Sequence, residues 1–230
     1  MTTSDSLAGT MKLVGGDLCL DFVNTVGGRV PDVGGSPGSQ VLADKLSAYA
    51  DLVAWSRHTG SMGDADARRL LRLADSRRRE AEEVRGRALL FREALHRTLR
   101  SVMLGRRPDP SDLSLLNAEI AAARARERLA LSRHGLRWEW PDAGGELDAP
   151  LWPVSRSAAA LLTSGDLSRL RQCGGERCGW LFLDRSRNRS RQWCRMEDCG
   201  NLSKVRRFRR KQRGRSPTRT AGRPRWRTRL

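Results

Sequence analysis

Four cysteines occupy one short stretch of the 230-residue chain, Cys173, Cys178, Cys194 and Cys199, in the spacing C-x4-C-x15-C-x4-C. Two close pairs separated by a hairpin-length gap suit a tetrahedral metal ion, because each pair comes from one turn and the gap lets the chain fold back. Four thiolates are a zinc set, and binding displaces their protons. Four filled positions leave no place for a reactive water, so one structural Zn2+ is expected rather than a catalytic one. A redox dithiol or ordinary buried thiols would need no second matched pair.

Charge is concentrated around the same cysteines. Residues 167–230 hold 21 Arg+Lys against 4 Asp+Glu, whereas residues 1–166 hold 23 against 22, so nearly all of the formal +18 lies at the C-terminal end. That density exceeds what solubility needs and points to a polyanion, with nucleic acid first. Arginine outnumbers lysine 40 to 4, which tempers any reading of single arginines. The fifth cysteine, Cys19, lies in an apolar stretch and belongs in a core. An odd count with four members in one cluster implies reduced thiols and a cytoplasmic protein, and the nucleic-acid reading makes it nucleoid-associated. Asp17 and Asp21 interrupt the apolar region after Met11-Lys12, which argues against a signal peptide. No apolar run approaches 18 residues, so no membrane-spanning segment is expected.

The elements that must position these groups are mostly helical. Residues 1–12 read as a disordered N-terminus. A short helix follows Asp17, and Gly27 to Gly38 is a loop. Leu42, Leu46, Tyr49, Leu52, Val53 and Trp55 keep helical spacing up to Gly60. Asp64 opens a helix with Leu70, Leu71 and Ala74; Val84, Ala88, Phe91, Leu95, Leu99 and Val102 stripe a long one ending near Gly105; Pro110 starts another. Residues 129–132 and 136–140 read as a β-hairpin, and 154–163 as a last apolar helix. This is a mainly α, helical N-terminal domain (13–165) with a small hairpin. A finger of zinc-ribbon or treble-clef type (167–213) follows, then a disordered basic tail (214–230). In the finger, 180–184 should be a strand, 185–190 a polar turn and 191–194 a returning strand. Residues 201–213 should be a helix that packs Leu202, Val205 and Phe208 onto that hairpin. Such a small module cannot stand on apolar burial alone, so losing Cys173 or Cys199 should unfold the finger and leave the helical domain folded.

Several of these residues resemble a known family. Cys173-x4-Cys178, Trp180-Leu-Phe-Leu-Asp184, Ser186-Arg-Asn-Arg-Ser-Arg-Gln-Trp-Cys194 and Cys199-Gly200-Asn201 before a basic helix resemble the CGNR zinc-finger proteins of bacteria. Gly16 to Thr25 resembles the start of the ABATE domain that accompanies that finger. The resemblance covers about residues 13–211 and implies a stress-induced transcription regulator. The fourth letter of the name-giving motif is Arg; here it is Leu202.

The candidate nucleic-acid contacts are Arg185, Arg187, Arg189 and Arg191 at the finger turn, and Lys204, Arg206, Arg207, Arg210, Lys211 and Arg213 on the last helix. Lys204, Arg207 and Lys211 are the candidates for reaching base edges. DNA is the expected partner. RNA is the alternative if Trp180 and Trp193 are exposed for stacking, and an acidic protein partner is the other. Gly222-Arg223-Pro224 between Arg219 and Arg225 has the look of a minor-groove segment, though nonspecific contact is the better reading. Asp17, Asp21 and Asn24 share a helical face and are a possible ligand pocket, with capping the safer role. His58, His96 and His134 belong to no local acid–base signature, and no enzyme is expected. The helical domain would sense or dimerise, so a homodimer and a small-molecule effector are its partners to consider. If the finger makes about 6–10 phosphate contacts, affinity for nucleic acid should fall about 10³- to 10⁵-fold between 50 and 200 mM salt. An anisotropy titration with a flat salt response would contradict this.

Overall fold

A computed structural model describes residues 6–29, 43–133 and 135–213 of the chain. Amphipathic spacing builds the helices. In α4 (Arg78–Met103), Ala81, Val84, Ala88, Phe91, Leu95 and Leu99 recur on one side and are all buried, while Arg79, Glu82 and Glu83 on the other side meet water. This helix is the spine. Packed on it are α1 (Leu18–Val23), α2 (Tyr49–His58), α3 (Asp64–Ser76), α5 (Pro110–Arg126) and α6 (Leu151–Leu162). Phe22, Trp55 and Phe91 form an aromatic centre, with Phe22 5.4 Å from Trp55 and 6.0 Å from Phe91. Cys19 is fully buried beside them, as expected. Gly60 and Gly105 follow α2 and α4 in the left-handed region, the usual way to stop a helix. The mainly helical class is therefore as the spacing implied.

Three two-stranded antiparallel ladders complete the fold: β1 (Val26–Gly27) with β2 (Ala43–Asp44), β3 (Arg128–Ser132) with β4 (Gly135–Glu139), and β5 (Leu170–Gln172) with β6 (Leu181–Leu183). The pairings Leu129↔Trp138 and Leu131↔Leu136 put four large apolar side chains on one face of the β3–β4 hairpin. All four are exposed.

Three expectations need correction. First, Ala8 and Met11 are buried and the Ser6 hydroxyl donates to Asp51 at 2.7 Å, so residues 6–12 are anchored by packing; the remainder of the expected disordered N-terminus, and the whole tail from 214, lie outside the described residues. Second, residues 191–194 are not a strand. The partner of β6 is the upstream β5, and the 191–194 segment runs past the ligands, with one bond from the Gly174 N–H to the Gln192 carbonyl at 2.9 Å. Third, the finger does not pack by itself. Alternation along β6 sends Leu181 and Leu183 into the main core with Leu170, and sends Phe182 to the cysteine side.

Polar bonds lock the same seam. Asn24 is fully buried, and its amide both donates to the Leu181 carbonyl at 2.8 Å and accepts the Leu181 N–H at 2.9 Å. The Trp180 indole donates to the Val26 carbonyl at 2.8 Å. Behind β1, buried Arg92 forks onto Asp44 at 2.8 and 2.6 Å and reaches the Thr25 hydroxyl. Buried Arg29 forks onto Glu93. Gly179, at φ 69°, presses against the Arg29 backbone where no Cβ has room.

Asn24→Ala should strand two buried backbone groups and cost about 2–4 kcal/mol. Because the core is shared, helical far-UV signal and finger tryptophan fluorescence should melt in one urea transition, at a lower midpoint. Two separated transitions, or an unchanged midpoint, would show that the seam does not carry this load.

Candidate metal centre and nucleic-acid interface

The four sulfurs of Cys173, Cys178, Cys194 and Cys199 lie within 4.8 Å of one another. Cys178 and Cys194 sulfurs are 3.7 Å apart, and those of Cys194 and Cys199 are 3.6 Å apart. A tetrahedral ion at about 2.3 Å from each sulfur sets its ligands about 3.8 Å from one another, so the quartet fits zinc. None of the cysteines is in a disulfide. Cys173 leaves the end of β5, Cys178 follows the turn before β6, and Cys199 sits in a single wide turn (Met196–Gly200) directly before α7 (Asn201–Arg213). Gly175 passes so close to the Cys199 sulfur that a Cβ there would stand 3.2 Å from it. The quartet holds one structural zinc ion.

The electrostatics are consistent with it. Hydrogen bonds from the Cys178 and Cys194 thiols, and the Cys194 N–H at 3.2 Å, hold Cys173 far below the usual thiol range. Its proximity pushes Cys178 and Cys194 up, and burial pushes Cys199 up. Four thiolates at this spacing repel one another, and a divalent cation is what lets all four ionise.

Beyond β6, Asp184 organises the turn. Its carboxylate accepts from the Ser186 N–H at 2.9 Å, the Ser186 hydroxyl at 2.6 Å and the Arg191 N–H at 2.9 Å. The Ser186 hydroxyl bond, joined by those N–H groups, holds its pKa below the ordinary carboxylate range. Arg189 takes a left-handed φ of 49°. The result throws Arg185, Arg187 and Arg189 outward, all exposed.

Arg191, placed with them on sequence grounds, points the other way. Its guanidinium lies 4.2 Å over the Phe182 ring and donates to the carbonyls of Trp193, Cys194 and Val14. It is a structural cation. On α7, Lys204, Arg207, Arg210 and Lys211 are exposed, whereas Arg206 is half-buried and paired with Glu176 at 3.0 Å. Arg213 ends the helix. The expectation that Leu202, Val205 and Phe208 pack inward is overturned: they are 57%, 46% and 61% exposed. The finger's apolar needs are met instead by Val14, Phe182, Trp180 and Trp193, so no hairpin surface is left for the stripe. Arg209 is exposed as well. It was missed because the basic flanks were assigned around a stripe assumed to be hidden.

Asp17, Asp21 and Asn24 are each engaged in internal hydrogen bonds. Asp17 caps α1, accepting from the Cys19 N–H and the Ser157 hydroxyl. Asp21 accepts from the Val14 and Gly15 N–H groups at 2.9 and 2.8 Å, and burial raises its pKa against those bonds. Asn24 is spent on Leu181. His58 bonds the Met11 carbonyl at 2.7 Å; His96 is buried, and burial beside Arg29 drives its pKa down to about 3. His134 lies outside the described residues. Among the described residues, no helix is long and apolar enough to cross a membrane.

Removing the ion from the purified protein should detach α7, because Cys199 and its turn are the helix's main fastening to the finger and the exposed Arg206–Glu176 pair is a weak one. Elemental analysis under reducing conditions should find one zinc per chain, and a chelator should release it with loss of helical signal. A metal-free preparation with an unchanged spectrum would refute the site.

Two family models match the sequence. The ABATE model, described as "Putative stress-induced transcription regulator", matches residues 16–165, and the CGNR zinc-finger model matches residues 169–212. No curated protein matches the chain. The first match spans well over half of the residues and ends where β5 is about to begin, and the second holds all four sulfur ligands: the chain belongs to the ABATE family and carries a CGNR zinc finger after that domain.

Proposed function

We propose that this protein is a zinc-organised transcription regulator that binds duplex DNA through its finger, a binding protein rather than an enzyme. One observation carries the reading. Among the described residues, Arg185, Arg187, Arg189, Lys204, Arg207, Arg209, Arg210 and Lys211 are exposed and have no carboxylate partner. In the helical domain Arg29, Arg57, Arg87, Arg92 and Arg97 are bound to acidic side chains, and its exposed arginines without an ion pair, such as Arg68, Arg78, Arg107 and Arg124, are scattered over several elements rather than gathered on one. Unpaired cations crowded on one module cost repulsion unless a polyanion receives them. Zinc sets the turn and α7 as two basic edges of one rigid piece.

Duplex DNA is favoured over single-stranded RNA by the state of the tryptophans. Trp180 is held by its indole bond and lies under Lys45, with the ammonium 5.4 Å from the ring. Trp193 packs against Gly174 and Gly200. Both are half-buried and engaged in structural contacts, unlike the open aromatic platforms that stack single-stranded bases.

The helical domain is assigned to dimerisation, with sensing as its other role. The support is the β3–β4 face. Leu129, Leu131, Leu136 and Trp138 are 55%, 82%, 68% and 53% exposed, an apolar patch that a lone hairpin has no reason to show to water. The face carries no charge, so a second copy meets no repulsion there. Two such faces together would bury on the order of 1,000 Å², the floor for a specific interface. Leu131→Lys should turn a dimer into a monomer in sedimentation equilibrium; a wild type that is monomeric at tens of micromolar removes the assignment.

For the finger, the triple replacement of Arg185, Arg187 and Arg189 by Ala should lower the log–log salt slope of duplex binding by about three. An unaltered slope would take the turn out of the interface. Failure of the zinc-loaded wild type to bind any duplex at low salt would end the reading.

A further inference from the structure

The outward side of α7 is the least explained surface of the finger. With 3.6 residues per turn, Leu202, Val205, Phe208, Arg209 and Gln212 fall on one side of this helix. Lys204, Arg207 and Lys211 border it on one edge and Arg210 on the other, where Arg206 is turned to Glu176. Ser203 and Arg206 are the half-buried positions, so the helix rests on the finger by the opposite side. Val205 and Phe208 are thus aimed away from the protein, Leu202 stands exposed at the rim of a small cavity beside Cys178 and Cys199, and the helix has no carboxylate.

We infer that this side of α7 lies on the floor of the DNA major groove and reads it by thymine methyl groups. Leu202, Val205 and Phe208 make the apolar contacts, and Arg209 and Gln212 meet purine edges beside them. The inference rests on the DNA-binding reading and adds what the finger prefers. An α-helix with side chains is about 10–12 Å across, and the major groove is about 12 Å wide. A helix seated there has phosphates on both edges, so its cationic edges go to the rims and the side between them goes to the bases. That floor offers one apolar feature, the thymine C5-methyl, and guanine and adenine edges that Arg and Gln can engage.

Other occupants fit less well. A second α7 would bring cationic edges against cationic edges. An anionic lipid surface would require a dry side, and Arg209 and Gln212 interrupt this one.

The test uses the full-length zinc-loaded protein and two labelled duplexes, alternating dA·dT and alternating dA·dU, which differ only in the methyl group. A buried carbon of this kind is worth about 0.8 kcal/mol, or about four-fold. Wild type should bind the thymine duplex at least that much more tightly. Phe208→Ala, altering a side chain that is 61% exposed, should lose most of this preference and keep its salt slope. Lys204→Ala should weaken both duplexes alike and keep the preference. Equal affinity of wild type for the two duplexes overturns the inference and leaves the DNA-binding reading standing. Binding to neither duplex overturns both. Cosedimentation with phosphatidylglycerol vesicles that Phe208→Ala abolishes, or a dimer that Phe208→Ala dissociates, would give the stripe to another occupant and overturn it too.

Discussion

Four sulfur atoms within 4.8 Å set the constraint on which the C-terminal part of this protein depends, because thiolates at that distance repel unless a cation stands among them. Each ligand comes from a different local structure: a strand end, a turn, an irregular return segment and a wide turn before a helix. The ion therefore fixes the relative position of all four. The direction of α7 follows from it, since Cys199 and the turn around it form the helix's main attachment and the Arg206–Glu176 pair a lesser one. A surface pair of this kind contributes about 0–1 kcal/mol, which is too little to hold a helix in place.

The metal does not act alone. β6 serves two cores at once, giving Leu181 and Leu183 to the helical domain and Phe182 to the cysteine side. Its edge is gripped by Asn24, whose amide copies the hydrogen-bonding pattern of a neighbouring strand. Asn24 follows α1, and the nearby β1–β2 ladder is tied to α4 by Arg92, Thr25 and Asp44. A path of buried, geometrically specific bonds thus runs from the longest helix to the finger. This gives the chain's two modules a common foundation.

Charge is divided along the same boundary. The buried arginines of the helical domain, Arg29 and Arg92, are neutralised in forks with glutamate and aspartate, and those are local structural bonds. Most arginines of the turn and of α7 have no carboxylate partner among the described residues, Arg206 with Glu176 being an exception, and Asp184, one of the few acids present, is used to shape the turn. Arg191 shows why identity alone does not make a phosphate ligand. The same residue type, two positions from Arg189, turns inward and satisfies three carbonyls.

The amino-acid order determined the metal ligands, the helices and the concentration of charge, because each is written in local spacing. Pairs of cysteines at fixed intervals, apolar residues at helical period, and glycines after α2 and α4 need no knowledge of the rest of the chain. What only the tertiary structure decided is which surface each element turns to which neighbour. Strand β6 took β5 rather than 191–194 as its partner, because Asn24 and the shared core favoured that register. Leu202, Val205 and Phe208 were left in water because Val14, Trp180, Phe182 and Trp193 had already filled the space beside the ligands. Asp17, Asp21 and Asn24 became internal fasteners because Ser157, the Gly15 N–H and Leu181 arrived against them from elsewhere in the sequence. Spacing states which face of an element is apolar, but competition among distant groups for the same volume decides whether that face is covered.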